Sequence, residues 1–260
     1  MSKEESSRRR ASAFRSAILA LLWAALLLTL PSGAPAAGKK RPLGLSIQKQ
    51  AITDGEMGYR NYLLYLPAQY DQSVTKKWPL ILFLHGSEQR GDDPKLVAQE
   101  GLPALVAHDA SFPFIVVSPQ CPADAKWSPP ALLKLLGTVE RKLRIDSRRV
   151  YLTGFSMGGY GTWRTAAAYP EVFAAIAPVC GGGDPETAPR LTRVPVWAFH
   201  GALDENVPLS ESRQMVDAVK RDGGRARLTI YPDLEHDSWT RTYKNPKLYA
   251  WFLAHKKNGS

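Results

Sequence analysis

From residue 62 onward, short apolar runs alternate with stretches whose apolar residues recur at helical spacing. Tyr62–Leu66 (YLLYL), Pro79–Leu84 (PLILFL) and Phe114–Val117 (FIVV) are four to six residues long. Such brief, continuously apolar runs predict strands covered on both faces. Leu132, Leu135, Leu136, Val139 and Leu143 follow the 3.6-residue period and predict an amphipathic helix. Val150–Leu152 then runs into a glycine-rich turn, and Gly159–Ala168 is compatible with a helix. Phe173–Val179 and Val194–Phe199 read as strands. Met215, Val216 and Val219 share a helical face, Leu228–Tyr231 reads as a last strand, and Asn245–His255 as a closing helix. Strands alternating with helices pair in parallel through right-handed crossovers. The fold class is therefore α/β: one domain over residues 43–255, with an open, mostly parallel sheet and helices on both faces. Such sheets bind ligands beyond the carboxyl ends of their strands, so the residues after each strand carry the functional information.

The first 36 residues follow a different pattern. Met1–Arg15 is polar and basic, Ala17–Leu30 is free of charge, and Ala34-Pro35-Ala36-Ala37 supplies small residues. A basic head, a short apolar run and an A-x-A site predict a secretory signal peptide, cut after Ala36 or Ala37. Fourteen helical residues would reach about 21 Å, short of a roughly 30 Å hydrocarbon core. An uncleaved N-terminal anchor is the rival reading. The lack of a cysteine near the site excludes a lipoprotein, and Ala11-Ser12-Ala13 after Arg8-Arg9-Arg10 fits a twin-arginine signal poorly. The expected location is secreted or periplasmic.

Composition narrows the class. Hydrophobic residues make up 44% of the 260 and charged residues 22%, enough to bury a core and unlike a disordered chain. Two cysteines exclude a disulfide framework and a four-cysteine zinc site. Gly and Pro, 20 of each, show no short period. The net charge of +10 includes a surplus of three in residues 1–36, leaving about +7 in scattered basic pairs such as Lys76-Lys77 and Arg148-Arg149. That pattern suits a soluble basic exported protein better than a nucleic-acid binder, for which no signature is present. No nucleic-acid or membrane partner is expected after cleavage of the leader, and the oligomeric state is left open.

The chemistry centres on Gly154-Phe155-Ser156-Met157-Gly158, between the strand at 150–153 and a helix-compatible stretch. This G-x-S-x-G elbow turns sharply, so that the serine hydroxyl projects from the sheet. A serine needs a base to take its proton, and the base a carboxylate to orient it, in chain order Ser, Asp or Glu, His. Only His236 and His255 lie after both Ser156 and a strand-end acid, and His255 sits in a lysine-rich tail. His236 is therefore the expected base. Asp204, in His200-Gly201-Ala202-Leu203-Asp204, follows a strand and is the expected acid, with Glu205 beside it chemically able. The oxyanion needs preorganised donors. The backbone N–H of Met157 is one, and the loop His85-Gly86-Ser87 offers the N–H of Ser87 as the other. His85 reads as a packing residue under that loop.

The segments LFLHGSEQRGDD (82–93), VVSPQCP (116–122), YLTGFSMGGYGTW (151–163), APVCGGGD (177–184), VWAFHGALDENVP (196–208) and YPDLEHDSWT (231–240) resemble the α/β-hydrolase superfamily. Within it they resemble the dienelactone-hydrolase-like branch, which includes phospholipase/carboxylesterase-type enzymes, polyhydroxybutyrate-depolymerase-like and feruloyl-esterase-like proteins and bacterial predicted peptidases. The resemblance covers nearly all of residues 43–255. It implies an α/β-hydrolase fold with a sheet of about eight strands and a minimal lid, a Ser156–His236–Asp204 triad and an oxyanion hole at Ser87 and Met157; the sequence itself shows no metal-ligand cluster, His85 and Asp92 being too sparse a set, and no cofactor is expected. One departure stands out. Where the family's loop reads H-G-S-G-E-R-G, this chain places Glu88 at the glycine and Gln89 at the glutamate. A negative φ at Glu88 keeps the loop, and the new acid disfavours anionic substrates.

Only about fifteen residues, Gly181–Pro195, separate two of the strands, too few for an independent lid. The expected site is open and suits short acyl groups or esters on polymers. Trp127, Phe155, Trp163, Trp239 and Gln120 are candidate substrate-wall residues. Cys121 and Cys180 each follow a strand at the site end of the sheet, and export permits a disulfide between them. The function expected is ester hydrolysis through an acyl-enzyme. A peptidase using the same triad and a catalytically silent binding protein are the alternatives, separated by ester turnover and fluorophosphonate labelling.

Overall fold

The computed structural model describes residues 44–49, 58–59 and 61–257. The expected leader lies outside the described residues. Eight strands build one sheet: β1 (Gly44–Lys49), β2 (Asn61–Leu66), β3 (Trp78–Leu84), β4 (Ile115–Pro119), β5 (Ile145–Phe155), β6 (Ala175–Val179), β7 (Val196–Gly201) and β8 (Ala226–Tyr231). Their spatial order is β1-β2-β4-β3-β5-β6-β7-β8. β2 runs antiparallel to β1 and β4, and the pairs from β4 to β8 are parallel. Six α-helices lie among the described residues: α1 (Gly101–Val106), α2 (Pro129–Lys142), α3 (Met157–Ala168), α4 (Leu209–Arg221), α5 (Trp239–Tyr243) and α6 (Pro246–Ala254).

The two-residue period of the strands splits the core in two. Leu80, Leu82 and Leu84 of β3, Val150 and Leu152 of β5, and Val196 and Ala198 of β7 face one side. There they meet Leu132, Leu135 and Val139 of α2, Trp163 of α3, and Met215 and Val219 of α4. Ile81, Phe83, Tyr151, Trp197 and Phe199 face the other side, against Leu102 of α1, Tyr243 of α5, and Leu248 and Phe252 of α6. All seven residues of β3 are buried, and covering such a strand contributes roughly 1.5–3 kcal/mol per large apolar side chain. This is why these strands read as uninterrupted apolar runs.

Some elements differ from the sequence expectation. β1 is an edge strand with Ile47 46% exposed, so it lacks a continuous apolar signature. β5 begins at Ile145, five residues before its apolar stretch, because Trp78 pairs with Ile145 across a register shift. α1 and α5 have six and five residues, too short to show helical periodicity. From β3 the chain moves outward to β4, then returns to the opposite side of β3 as β5, and proceeds through β6 and β7 to β8. The reversal at the β3–β5 boundary is the switch point where a ligand crevice forms in an open α/β sheet.

Candidate active site

Ser156 joins β5 to α3 with φ 53° and ψ −119°. A non-glycine residue there costs on the order of 1–3 kcal/mol and persists only where its surroundings enforce it. Here the Ser156 N–H donates to Val179 O at 3.0 Å, and Ser156 O accepts from the Tyr160 N–H at 3.1 Å. Glycine supplies the room. A Cβ at Gly154 would lie 2.5 Å from Leu84 O, at Gly158 2.0 Å from Leu84 O, and at Gly159 2.4 Å from Val179 O. The missing side chains let the start of α3 settle onto the ends of β3 and β6, which aims the hydroxyl over the crevice.

The loops after β7 and β8 bring the other two residues in. They are laced together by Ala202 N–H to Tyr231 O (2.8 Å) and Leu203 N–H to Leu234 O (2.9 Å). His236 Nδ1 lies 2.8 Å from Asp204 Oδ2, and His236 Nε2 lies 3.1 Å from Ser156 Oγ. The carboxylate can only accept, which puts the imidazole proton on Nδ1 and leaves the Nε2 lone pair facing the serine hydroxyl. Asp204 Oδ1 accepts the N–H groups of Asn206 (3.0 Å) and Val207 (2.9 Å). His200 Nε2 stands 3.2 Å from Asp204 Oδ2. The Asp204 side chain is fully buried, and these donors replace the water that a buried charge would otherwise lack. Glu205 is exposed. His255 bonds the backbone at Trp251 O and takes no part.

Met157 and Ser87 each begin a helical segment, α3 and the 3-10 turn Ser87–Gln89 respectively. The first N–H groups of a helix have no partner within it, so neither N–H is claimed by its own helical turn. The Ser87 loop is pinned from below. A Cβ at Gly86 would fall 2.7 Å from the Phe155 ring. Gln120 Nε2–H donates to Gln89 O (3.0 Å) and Asp93 O (2.8 Å). His85 accepts the Cys121 N–H at Nε2 (3.0 Å), while its Nδ1–H donates to Gly86 O (2.6 Å). Burial pushes the His85 pKa down to about 4, keeping the ring neutral as this pairing requires. Glu88 is exposed within the turn and is not among the residues with positive φ. The loop therefore accepts a side chain where glycine was expected, and Gln89 occupies the inner position, donating to Glu100 Oε2 (3.0 Å).

A cavity of about 730 Å3 opens beside Met157. Tyr160, Arg164 and Ala167 of α3 form one wall, and Gly182, Gly183 and Thr187 from the 181–195 segment form another. Burial pushes the Tyr160 phenol up to about 12, with Glu211 adding to the effect. Trp239 stacks on Phe155 (centroids 4.3 Å apart, 21° between planes) and meets the His236 ring edge-on at 5.4 Å. It is half-buried at the crevice, whereas Phe155 beneath it is 2% exposed.

The remaining wall candidates are turned inward. Trp127 is in the core, donating Nε1–H to His85 O (3.2 Å), and Trp163 donates to Gly181 O (3.3 Å). Gln120 is 3% exposed and serves the Ser87 loop from underneath. Cys121 and Cys180 are both free and buried, and they belong to the two opposite-face clusters, so the sheet lies between them. Burial pushes the thiols up to about 11 and about 12 respectively. Tyr160 and His200 contribute to the site without having been assigned a place there from sequence.

The profile of the dienelactone hydrolase family matches residues 130–250. Over 204 residues the chain is 28% identical to a bifunctional acetylxylan esterase/xylanase of Neocallimastix patriciarum, an alignment covering 74% of this chain and 28% of that protein. A poly(3-hydroxyoctanoate) depolymerase of Pseudomonas fluorescens is 26% identical over 249 residues, covering 83% of this chain and 87% of the relative. Among solved structures, a thermostable esterase superposes with a TM-score of 0.64 at 33% identity, over 76% of this chain and 59% of that one. The chain thus spans less than two thirds of the acetylxylan relative and of the thermostable esterase.

Proposed function

We propose that this chain, an α/β-hydrolase by its fold and its dienelactone hydrolase segment, is a serine hydrolase of carboxylic esters with short acyl groups or of esters carried on polymers. One observation carries the reading: the hydrogen-bonded path from Ser156 Oγ through His236 to Asp204, with links of 3.1 and 2.8 Å. His236 Nε2 takes the hydroxyl proton as Ser156 Oγ bonds to the ester carbonyl carbon. Positioned general-base catalysis of this kind contributes about 10²–10⁴-fold. The carbonyl oxygen becomes an oxyanion between the N–H groups of Ser87 and Met157, each such donor being worth about 3–4 kcal/mol. As the carbon–oxygen bond to the alcohol breaks, the imidazolium returns its proton to the leaving oxygen. Water then attacks the acyl-serine, giving its proton to His236, and as the acyl carbon–Oγ bond breaks the imidazolium returns that proton to Ser156 Oγ and the acid departs.

The cavity beside Met157 is within the size range of small-ligand pockets. Its outer wall is a short 3-10 segment, Pro185–Leu191, instead of a lid, which supports access for an ester projecting from a chain. Two relatives whose names specify acetylxylan and poly(3-hydroxyoctanoate) support polymer-borne esters as the substrate class. Residues 1–36 complete the reading as an export signal, tested by the N-terminal mass of protein recovered outside the cytoplasm.

Hydrolysis of p-nitrophenyl acetate and fluorophosphonate labelling test the mechanism. Both are expected in the wild type and both are lost in Ser156→Ala. A mutant that labels as well as the wild type would sink the assignment. Release of acetate from acetylated xylan and of hydroxyacids from short polyhydroxyalkanoate oligomers tests the substrate class, with peptide cleavage outpacing ester turnover as the result against it.

A further inference from the structure

His200 is the last residue but one of β7, its side chain fully buried directly behind Asp204. Its Nε2–H donates to Val207 O at 2.9 Å, and a second acceptor, Asp204 Oδ2, stands 3.2 Å from the same nitrogen. That nitrogen must carry a proton. Its Nδ1 faces Ser212 Oγ of α4 at 2.7 Å, and the same hydroxyl lies 2.9 Å from Gly181 O. Ser212 has one proton to give. With His200 neutral, that proton goes to Nδ1, and Gly181 O keeps the Trp163 Nε1–H. With His200 charged, Nδ1–H donates to Ser212, whose proton turns to Gly181 O. Burial lowers the His200 pKa, opposed by Val207 O and Asp204, which favours the neutral arrangement near pH 7.

We propose that His200 is a positioning residue of the triad: its Nε2–H, anchored on Val207 O, sets the positive edge of the ring 3.2 Å from the Asp204 Oδ2 that accepts from His236 Nδ1, holding the carboxylate in plane and drawing off part of its negative charge. The inference rests on the serine-hydrolase reading above. Two consequences follow from electrostatics. A positive ring edge beside Oδ2 weakens the pull of Asp204 on the Nδ1–H of His236. It also stops the carboxylate from rotating away during the two proton transfers. The titratable groups around this cluster are His200, Asp204 and His236 themselves, Cys180 at the end of β6, whose Sγ lies within 4.8 Å of the Asp204 and His236 ligand atoms, and Tyr160 of α3, which feels the Asp204 charge. Among these, His200 is the one that brings a second ring nitrogen close to Oδ2, at 3.2 Å.

The experiment compares His200→Phe, His200→Gln and Ser212→Ala with the wild type, using p-nitrophenyl acetate over pH 4.5–9 together with thermal melting. The glutamine amide can reach Asp204 from the position of Nε2, while phenylalanine fills the space without a donor. For His200→Phe, kcat is expected to fall at least tenfold with KM within twofold, and the acid limb of kcat/KM should move to higher pH. His200→Gln should recover most of both changes. Ser212→Ala, which removes the proton donor to Nδ1, should shift the acid limb in the same direction by less, and it carries the test if the phenylalanine variant does not fold. A folded His200→Phe with the wild-type limb and kcat overturns the proposal, as does Ser212→Ala with an unmoved limb, or a His200→Gln as impaired as the phenylalanine variant. Retained labelling of Ser156 in any of these failures leaves the hydrolase reading standing.

Discussion

Replacing Gly158 by alanine tests the elbow through a single methyl group. Its Cβ would lie 2.0 Å from Leu84 O, 2.6 Å from Leu84 C and 2.8 Å from His85 O, and such contacts below 3.0 Å do not persist. The oxygen belongs to the backbone of β3, so no side chain can rotate out of the way. To restore contact distance, the start of α3 and the end of β3 must part by about 1 Å. That movement separates Met157 from Ser87, the two proposed oxyanion donors. A misplacement of about 1 Å costs roughly 10²-fold in rate, or about 2.7 kcal/mol of barrier. Overpacking costs a further 1–3 kcal/mol or so of stability, which lowers Tm by roughly 2–12 °C for a domain of this size. The control is Gly137→Ala on α2. There the new Cβ lies 3.6 Å from the flexible Arg141 guanidinium, and losing glycine's backbone entropy stabilises the helix by about 0.5–1 kcal/mol. The same chemical change thus has opposite signs at the two sites. The assays are p-nitrophenyl acetate kinetics, fluorophosphonate labelling rate and thermal melting. A Gly158→Ala protein with wild-type kcat and Tm would refute the geometric account of the elbow.

Asp204→Asn leaves one oxygen for the Asn206 and Val207 N–H groups and turns an NH2 toward two imidazole donors; His236 must change tautomer, and kcat is expected to fall about 10³–10⁴-fold with KM little changed, measured by steady-state kinetics. The neutral His85 gives stability a pH dependence. Its folded-state pKa of about 4 lies below the ordinary 6.5, so the unfolded chain takes up the proton first. The contribution is present above pH 6.5 and declines toward pH 4, by about 3 kcal/mol in all. Urea midpoints at pH 7, 5.5 and 4.5 should show a shallower decline in His85→Gln than in the wild type, and parallel declines would count against the assignment. Trp239→Ala removes the ring stacked on Phe155 and set against His236, and kcat/KM for aryl esters should fall about 3–10-fold, the equivalent of one aromatic contact.

The parts of this molecule visible in its sequence are those governed by local rules. β3 and the Ile115–Val117 run of β4 announce themselves because a strand segment covered on both faces has no polar position to interrupt it. The elbow is legible because its glycines and serine lie within five residues, and Asp204 and His236 because each follows a strand at the same rim. What escaped depends on distant convergence. His200 acquires its partners from Asp204, Val207 and Ser212 only once α4 packs on the sheet. Gln120 reads as a wall residue by its position after β4, yet its amide is spent holding the Ser87 loop. The cysteines illustrate the limit of strand parity. Simple alternation along β6 would put Cys180 on the same face as Ile176, the face that also holds Cys121. The positive φ of 38° at Cys180 breaks the alternation and turns its thiol into the opposite cluster.

That positive φ also explains how the loops of the site hold their positions. The two non-glycine residues with positive φ among the described residues, Ser156 and Cys180, follow neighbouring strands. Each is tied to the next strand by a bond continuing the sheet ladder: Ser156 N–H to Val179 O (3.0 Å), then Cys180 N–H to Phe199 O (2.8 Å). The loop after β7 repeats the pattern, with Ala202 N–H to Tyr231 O (2.8 Å). The strained serine is therefore the first step of a staircase that runs through the ends of β6 and β7 to β8, whose following loop carries His236. Backbone ladder bonds between parallel strands cannot slip without flipping buried side chains to the wrong face. The separation of Ser156 from His236 is thus set by the register of four strands and only finished by loop contacts, and the strain at Ser156 is balanced by the same ladder that positions its base.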